Sequence, residues 1–335
     1  MTKVMGPVFV GIDVSARTLV VALERDHQPG RQRREFLNTA VGHEGLIQWL
    51  SKSATAVQVC IEATGLYSLD LALALHRAEG IEVMVANPRA IADFAKALLQ
   101  RSKTDQLDAE VMLEFARRMP FVAWQPPSSP QLDLRALMRR ITGLKLVSQQ
   151  EKNRLHSVSQ SAEITPLVRK DIQSHLVQLE RHIEKLEHQA ETIVQADREL
   201  ARQFCHLVSV RGIARVSALH LLAELVVLAP DMTARQWVAH AGLDPRHHES
   251  GTSVHKPTRI SRAGNRYLRS ALFMPALVAT QHDPNIRAFY QKLGDRGKTK
   301  MQAIVAVMRK LLHALHGMLR TDSDFVGEKF FVIPS

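Results

Sequence analysis

The feature that most restricts the fold of this chain is a change in its hydrophobic period. Residues 7–14, 17–24 and 33–38 alternate Val, Ile, Leu and Phe with small or polar residues, the two-residue period of half-buried strands. The turn-forming stretch DHQPG separates the second run from the third, so the chain opens as a β-meander. Strand-length and helix-length patterns then take turns: helix 42–53, strand 56–62, helix 65–78, strand 81–86, and helices beginning after Asn87-Pro88 and near Thr104.

A meander followed by βαβα is the order of the ribonuclease H-like (RuvC-like) fold, an α/β domain. FVAWQPPSSP, residues 121–130, breaks any helix and reads as a linker. Beyond it Leu134, Leu137, Ile141, Leu144, Ser148, Glu151, Leu155 and Val158 follow heptad spacing. After a break near Pro166 a second series runs Ile172, Leu176, Leu179, Ile183, Leu186, Ala190, Ile193. Two such helices predict an antiparallel coiled-coil hairpin, and the polar remainder of LERHIEKLEHQAE suits a projecting arm or a dimer contact better than a buried bundle. Residues after 200 read as mainly helical. The expected organisation is therefore an α/β domain over 1–125, a coiled-coil insertion over 126–198 and a mainly α domain over 199–335.

Charge is distributed unevenly. The net charge is +11, and residues 201–335 alone hold 19 Lys and Arg against 9 Asp and Glu. Between Lys256 and Lys310 the balance is 12 basic to 2 acidic, a one-sided run that points to phosphate-bearing partners. Cys60 and Cys205 stand far apart in apolar settings, which excludes a disulfide framework and a CxxC zinc site. No apolar run reaches membrane-spanning length, and the N-terminal one is too short for a signal peptide, so the expected location is cytoplasmic, without membrane association.

Four acids carry the chemistry. Asp13 interrupts the apolar strand VFVGIDVS, where an isolated carboxylate is costly and a ligand role accounts for it. Glu62 closes the strand VQVCIE just before the chain turns at Gly65, and Asp105 and Asp108 in KTDQLDAE lie three apart on one helical face. Singly, Glu62 fits a cap for the next helix, and the two aspartates fit first-turn acids. Together they form an all-oxygen donor set suited to Mg²⁺, with Mn²⁺ an alternative, in phosphodiester chemistry.

Downstream, RHHESGTSVHKPTRISRAGNRYLR (residues 246–269) sets Ser250 between an acidic and histidine-rich approach and Gly251, followed by many arginines. A nucleophilic serine needs an exposed, turned backbone, a proton acceptor and phosphate-holding donors, and all three residue types are present. The bland reading is a loop serine beside a solvated basic helix. LVSVRGIARVSALHLLAEL resembles a helix-hairpin-helix whose tight glycine turn aims N–H groups at DNA. Arg211 stands where proline is common, however, and Ala214 replaces the second glycine, so packing alone explains it equally well. The candidate nucleic-acid contacts are Arg211, Arg215, Lys256, Arg259, Arg262, Arg266 and Arg269.

From end to end the chain resembles a DEDD transposase of the insertion-sequence-110 family, to which the Piv DNA invertases are similar as well. GIDVS, IEATG and KTDQLDAE resemble its acidic motifs, with Asp13, Glu62, Asp105 and Asp108 in the four DEDD positions. AGLDPRHHESG and ISRAGNRYLRSAL resemble its C-terminal transposase domain, with Ser250 in the position of the serine nucleophile. The resemblance implies a recombinase that moves its own element, uses a structured noncoding guide RNA to pair with donor and target double-stranded DNA, and links serine covalently to DNA. It also implies a homo-oligomer, dimer or tetramer, whose protomers share the composite site.

Rival readings are a metal-dependent Holliday-junction resolvase, a DNA invertase without an RNA guide, and a non-catalytic DNA-binding protein. GIDVSARTLVVAL also resembles the first phosphate loop of sugar kinases and actin-like ATPases, but no second Gly-rich phosphate loop accompanies it.

Overall fold

In the computed structural model, residues 7–25, 30–52, 56–63, 65, 67–99, 104–160, 166–250 and 254–333 are described, those at 247–250 and 254–258 by backbone alone. The chain divides between Pro126 and Pro127 into two units.

The first unit is a mixed sheet with helices on both faces. Strands β1 (Val8–Val14), β2 (Thr18–Glu24) and β3 (Gln32–Leu37) form the antiparallel meander, and helix α1 (Ala40–Leu50) follows. Then come β4 (Val57–Glu62), α2 (Leu69–Arg77), β5 (Ile81–Ala86), α3 (Pro88–Ala97) and α4 (Asp105–Arg118). The strand order is β3-β2-β1-β4-β5, with β1, β4 and β5 parallel.

Alternation along β1 assigns the two faces. Val8, Val10, Ile12 and Val14 point to the layer that holds Leu46 and Leu50 of α1 and Leu71 and Leu75 of α2. Phe9, Gly11 and Asp13 belong to the opposite face, the one covered by α4. Gly11 permits that layer's close approach: a Cβ there would collide with the Ala109 carbonyl and the Leu113 amide, and would lie 2.9 Å from the Met112 carbonyl carbon. Backbone cannot yield as a side chain does. Gly11→Ala is therefore expected to lift α4 from the sheet, costing about 3 kcal/mol and lowering the melting temperature on the order of 10 °C; an unchanged midpoint would mean that α4 is not seated on β1.

The segment read as a linker is partly tethered. The Trp124 amide donates to the Val83 carbonyl at 2.6 Å, and its ring packs edge-on against His76.

The second unit is mostly helical. Helices α5 (Ser129–Ser159) and α6 (Pro166–Ala196) lie antiparallel, as Lys145–Glu187 at 2.7 Å and Lys152–Glu180 at 3.5 Å show. Leu134, Ile141, Leu144, Ile172, Leu176, Leu179 and Ile183 fill the seam, with buried Ser148 and Glu151 continuing it. Met138 and Val194 are buried where the heptad reading placed Leu137 and Ile193, which are not fully covered. The seam runs into one core with α7 (Arg198–Ser209), α8 (Arg215–Leu225) and α9 (Ala234–His240).

A two-stranded ribbon, β6 (Pro245–Ser250) and β7 (Val254–Ile260), then interrupts the helices. Its register slips between Arg246 and His248, opposite Pro257, which has no N–H to give a ladder. Helices α10 (Arg266–His282), α11 (Pro284–Asp295), α12 (Lys300–Thr321) and α13 (Gly327–Phe330) complete the unit.

Candidate active site

The parallel pairing of β1 with β4 ends at Gly11↔Cys60 and Ile12↔Ile61, so the next residues along each strand are Asp13 and Glu62. Both follow the parity of Gly11 and Cys60, and so belong to the α4 face at the carboxyl edge of neighbouring strands. Glu62 is in turn registered with Ala86 of β5.

The direction of α4 brings its first turn to the same edge. Arg117, near the end of α4, pairs with Glu24 at 3.0 Å, and Glu24 lies opposite Phe9 at the start of β1. Ala109 lies over Gly11, so Asp108 and Asp105, earlier on the helix, lie toward Asp13. Thr104 caps that turn by accepting from the Leu107 amide at 3.3 Å. Asp13, Glu62 and Asp108 are half-buried, and Asp105 is exposed.

The backbone thus delivers all four acids to one end of one face, and an all-oxygen donor set fits a hard divalent cation. Among the described residues, no group of three or more His, Cys, Asp or Glu side chains is gathered closely enough to hold a metal ion. Cys60, one strand position before that of Ile61, adds nothing nucleophilic: burial, reinforced by the Glu62 charge, pushes its thiol up to about 12.

Sequence reasoning missed the residue that ties the surrounding loops. Asn38 donates to the Ser15 carbonyl at 2.8 Å and to the Tyr67 carbonyl at 3.0 Å, while its Oδ1 meets His43 Nε2 at 2.7 Å. It thereby joins the β1–β2 turn, the end of β3 and the chain beyond β4. Its only sequence signal was an Asn closing the alternating run 33–38.

In the second unit, Ser250 is the last residue of β6, paired with Val254 of β7. The side chains of Ser250 and Lys256 lie outside the described residues. No strand is legible here because PRHHES lacks apolar alternation; the available signal was the turn-forming residue types Gly-Thr-Ser, followed by Val254, Thr258 and Ile260 at even spacing.

The foot of the ribbon is locked by a second set of bonds. The Ser261 amide donates to the Asp244 carbonyl at 2.9 Å and its hydroxyl to Asp244 Oδ1 at 2.6 Å. The Arg262 amide reaches the Gly242 carbonyl at 3.1 Å, and the Asn265 amide the His240 carbonyl at 2.6 Å. Asn265 then caps α10, accepting from the Tyr267 and Leu268 amides, and donates to Glu224 Oε2 at 2.6 Å. Glu224, almost fully buried, is also held by Arg139 through two bonds of 2.8 and 2.9 Å. Burial pushes its carboxyl up, but the Arg139 and Asn265 hydrogen bonds and the charges of Arg139 and Arg135 outweigh that and hold it below the usual carboxylate range.

The arginines picked from sequence divide by use. Arg259, Arg262 and Arg266 are exposed. Arg269 is half-buried and donates to the Ala241 carbonyl at 2.8 Å, bracing the loop from inside. Arg211 is exposed, and Arg215 is exposed and paired with Glu191 at 3.2 Å. Between them Gly212, with φ of 112°, is pressed on α10: a Cβ would lie 2.7 Å from the Ala279 amide and 2.9 Å from the Pro275 carbonyl. The glycine of the turn therefore serves packing.

Comparison with known proteins adds a family. Residues 10–164 match the DEDD transposase model of the IS110 group, and residues 205–291 match the model described as transposase of the IS116/IS110/IS902 family. The pilin gene-inverting proteins of Moraxella bovis and Moraxella lacunata are each 30% identical over 328 residues, covering 96% of this chain and 98% of theirs. A 43.6 kDa protein of insertion element IS110 from Streptomyces coelicolor is 35% identical over 119 residues, 36% of this chain and 29% of the relative.

Proposed function

Because this chain belongs to the IS110 family of transposases, enzymes of DNA recombination, we propose that it cuts and rejoins DNA through a serine–phosphate link, assisted by a carboxylate-held Mg²⁺ and guided by a structured noncoding RNA of its element. The reading rests on one placement: Asp13 and Glu62 follow in-register residues on adjacent parallel strands, under the first turn of the helix that carries Asp105 and Asp108. The strand order with an antiparallel meander and parallel β1, β4 and β5 supports a ribonuclease H-like domain over 1–125. We assign the remainder to a coiled-coil arm over 126–198 and a transposase domain over 199–335, which assembles as a dimer or tetramer.

In this scheme Asp13, Glu62, Asp105 and Asp108 hold Mg²⁺. Bound there, Mg²⁺ supplies positive charge for the phosphate oxygens of the transition state. Ser250 Oγ attacks the scissile phosphorus: an O–P bond forms, one P–O ester bond of the DNA breaks, the serine proton passes to a base, and the freed deoxyribose hydroxyl takes a proton. Attack by a second hydroxyl reverses the step and rejoins the strand without ATP. Arg211, Arg215, Lys256, Arg259, Arg262 and Arg266 contact nucleic-acid phosphate.

The decisive experiment incubates protein, Mg²⁺, element-junction DNA, target DNA and RNA transcribed beside the element, and resolves the products on a denaturing gel. A protein–DNA adduct that Ser250→Ala abolishes is expected; cut DNA without an adduct in either protein leaves a hydrolytic nuclease. A second reading, a DNA invertase acting without RNA, draws on the names of the two full-length relatives. Adduct formation undiminished when RNA is omitted would select it.

A further inference from the structure

Two half-buried arginines one helical turn apart in the second unit feel one carboxylate, and only one of them is bonded to it. Arg139 occupies Glu224 with two hydrogen bonds, and Asn265 takes a third site on the same carboxylate. Arg135, one turn earlier on the same face of α5, is half-buried and has no hydrogen bond or ion pair among the described residues. Burial first, and then the neighbouring Arg139 charge, pull its guanidinium down from its ordinary value, with Glu224 opposing. A guanidinium still does not give up its proton at neutral pH, so the excess positive charge stays in place.

A third arginine stands nearby. The Arg139 and Arg266 guanidiniums lie 4.7 and 5.0 Å from the centre of the same Tyr267 ring, and Arg266 also donates to the Tyr267 hydroxyl at 3.2 Å. Arg139 is thus the shared neighbour of Arg135 on α5 and of Arg266 across the Tyr267 ring; its own fork is taken by Glu224, while the Arg135 and Arg266 guanidiniums have no acid partner among the described residues. Tyr267 and Arg266 follow directly on the loop that locks the foot of the β6–β7 ribbon.

We infer that Arg135 and Arg266, with Arg139 fixed beside them by Glu224, form a socket for one backbone phosphate of the duplex DNA whose strand is cut at the ribbon's end. The choice of DNA rests on the proposed role of Ser250, because Arg266 follows directly on the loop that locks the foot of the same ribbon. From the foot to Ser250 the ribbon spans five residue steps, roughly 17 Å, which corresponds to about five nucleotides along a duplex strand. The captured phosphate belongs to the flank of the cleaved bond and fixes the register of the strand, without reading its bases.

The test is binding of the full-length protein to labelled duplex DNA across a salt series. Arg135→Gln is expected to weaken binding by about fivefold to tenfold near physiological salt, equally for all sequences, and to reduce the slope of log K against log salt by about 0.9, one phosphate contact. Arg266→Gln, at an exposed position that leaves the fold intact, is expected to lose a similar amount, and Arg135→Lys to restore most of the slope. An unchanged slope in Arg135→Gln and Arg266→Gln proteins that melt as wild type overturns the socket, as does a slope lost only with RNA. Ser250→Ala separates the two ideas: a missing adduct with a normal slope in Ser250→Ala is the expected pair. An adduct that never forms, together with slopes that fall in the arginine variants, removes the serine reading and leaves the socket.

Discussion

Asp13→Asn is expected to lower DNA strand cleavage about a thousandfold while the protein folds and melts nearly as wild type. The substitution preserves shape and removes one negative charge at the edge where β1 and β4 end together. If Asp13 holds a divalent ion, its loss removes several kcal/mol of charge stabilisation from the transition state, and about 4 kcal/mol is a thousandfold in rate. The packing of the unit is kept, because the β1 residues that build its core are Val8, Val10, Ile12 and Val14 on the other face. Cleavage of element-end DNA, measured in Mg²⁺ with the melting curve alongside, checks both halves. Activity within tenfold of wild type would remove Asp13 from the metal-holding set, and a collapsed melting transition would make it a structural residue.

The first unit was legible because its chemistry is written in short periods. Alternation placed the strands within a residue or two of β1 to β5, and it put Asp13 on a strand and Glu62 at a strand's end. Helix starts were less well placed: α1 begins at Ala40 rather than 42 because the Thr39 side chain accepts from the Gly42 amide and caps it. The heptads gave the α5–α6 hairpin for the same reason as the strands, since a seam repeats along its own sequence. The β6–β7 ribbon escaped because PRHHES carries no apolar alternation to mark a strand. The Arg139–Glu224–Asn265 network escaped for another reason: its members are 85 and 41 residues apart, and a buried acid with its arginine looks in sequence like two surface charges. Arg269 shows the same ambiguity, being a basic-helix residue whose guanidinium turns inward to Ala241.

Glu224→Ala is expected to destabilise the second unit by about 2–3 kcal/mol, since it takes a charged acceptor from half-buried Arg139 and from Asn265. Arg139 loses both hydrogen bonds, Asn265 Nδ2 loses its carboxylate acceptor, and Arg135 loses the negative charge that opposes Arg139. For a unit of this size the melting temperature falls on the order of 10 °C. Glu224→Met with Arg139→Met is expected to recover most of that loss, because an apolar pair of similar volume needs no partner.

Acid supplies an independent check on the same residue. The Glu224 carboxyl is held below its ordinary value, so its contribution is complete above the unfolded carboxylate pKa of roughly 4.3 and is lost as pH falls through the lower folded value. Wild-type stability therefore declines in acid by an increment that Glu224→Ala lacks, and the two curves converge as pH drops. Parallel curves across that range would mean that Glu224 is not an ionised partner of Arg139. Because Asn265 begins α10 and its amide joins the foot of the ribbon to His240, loosening Glu224 also frees the mounting of Ser250. Adduct yield in Glu224→Ala should then fall further than the folded fraction alone predicts, whereas a yield that tracks the folded fraction would confine Glu224 to holding the core.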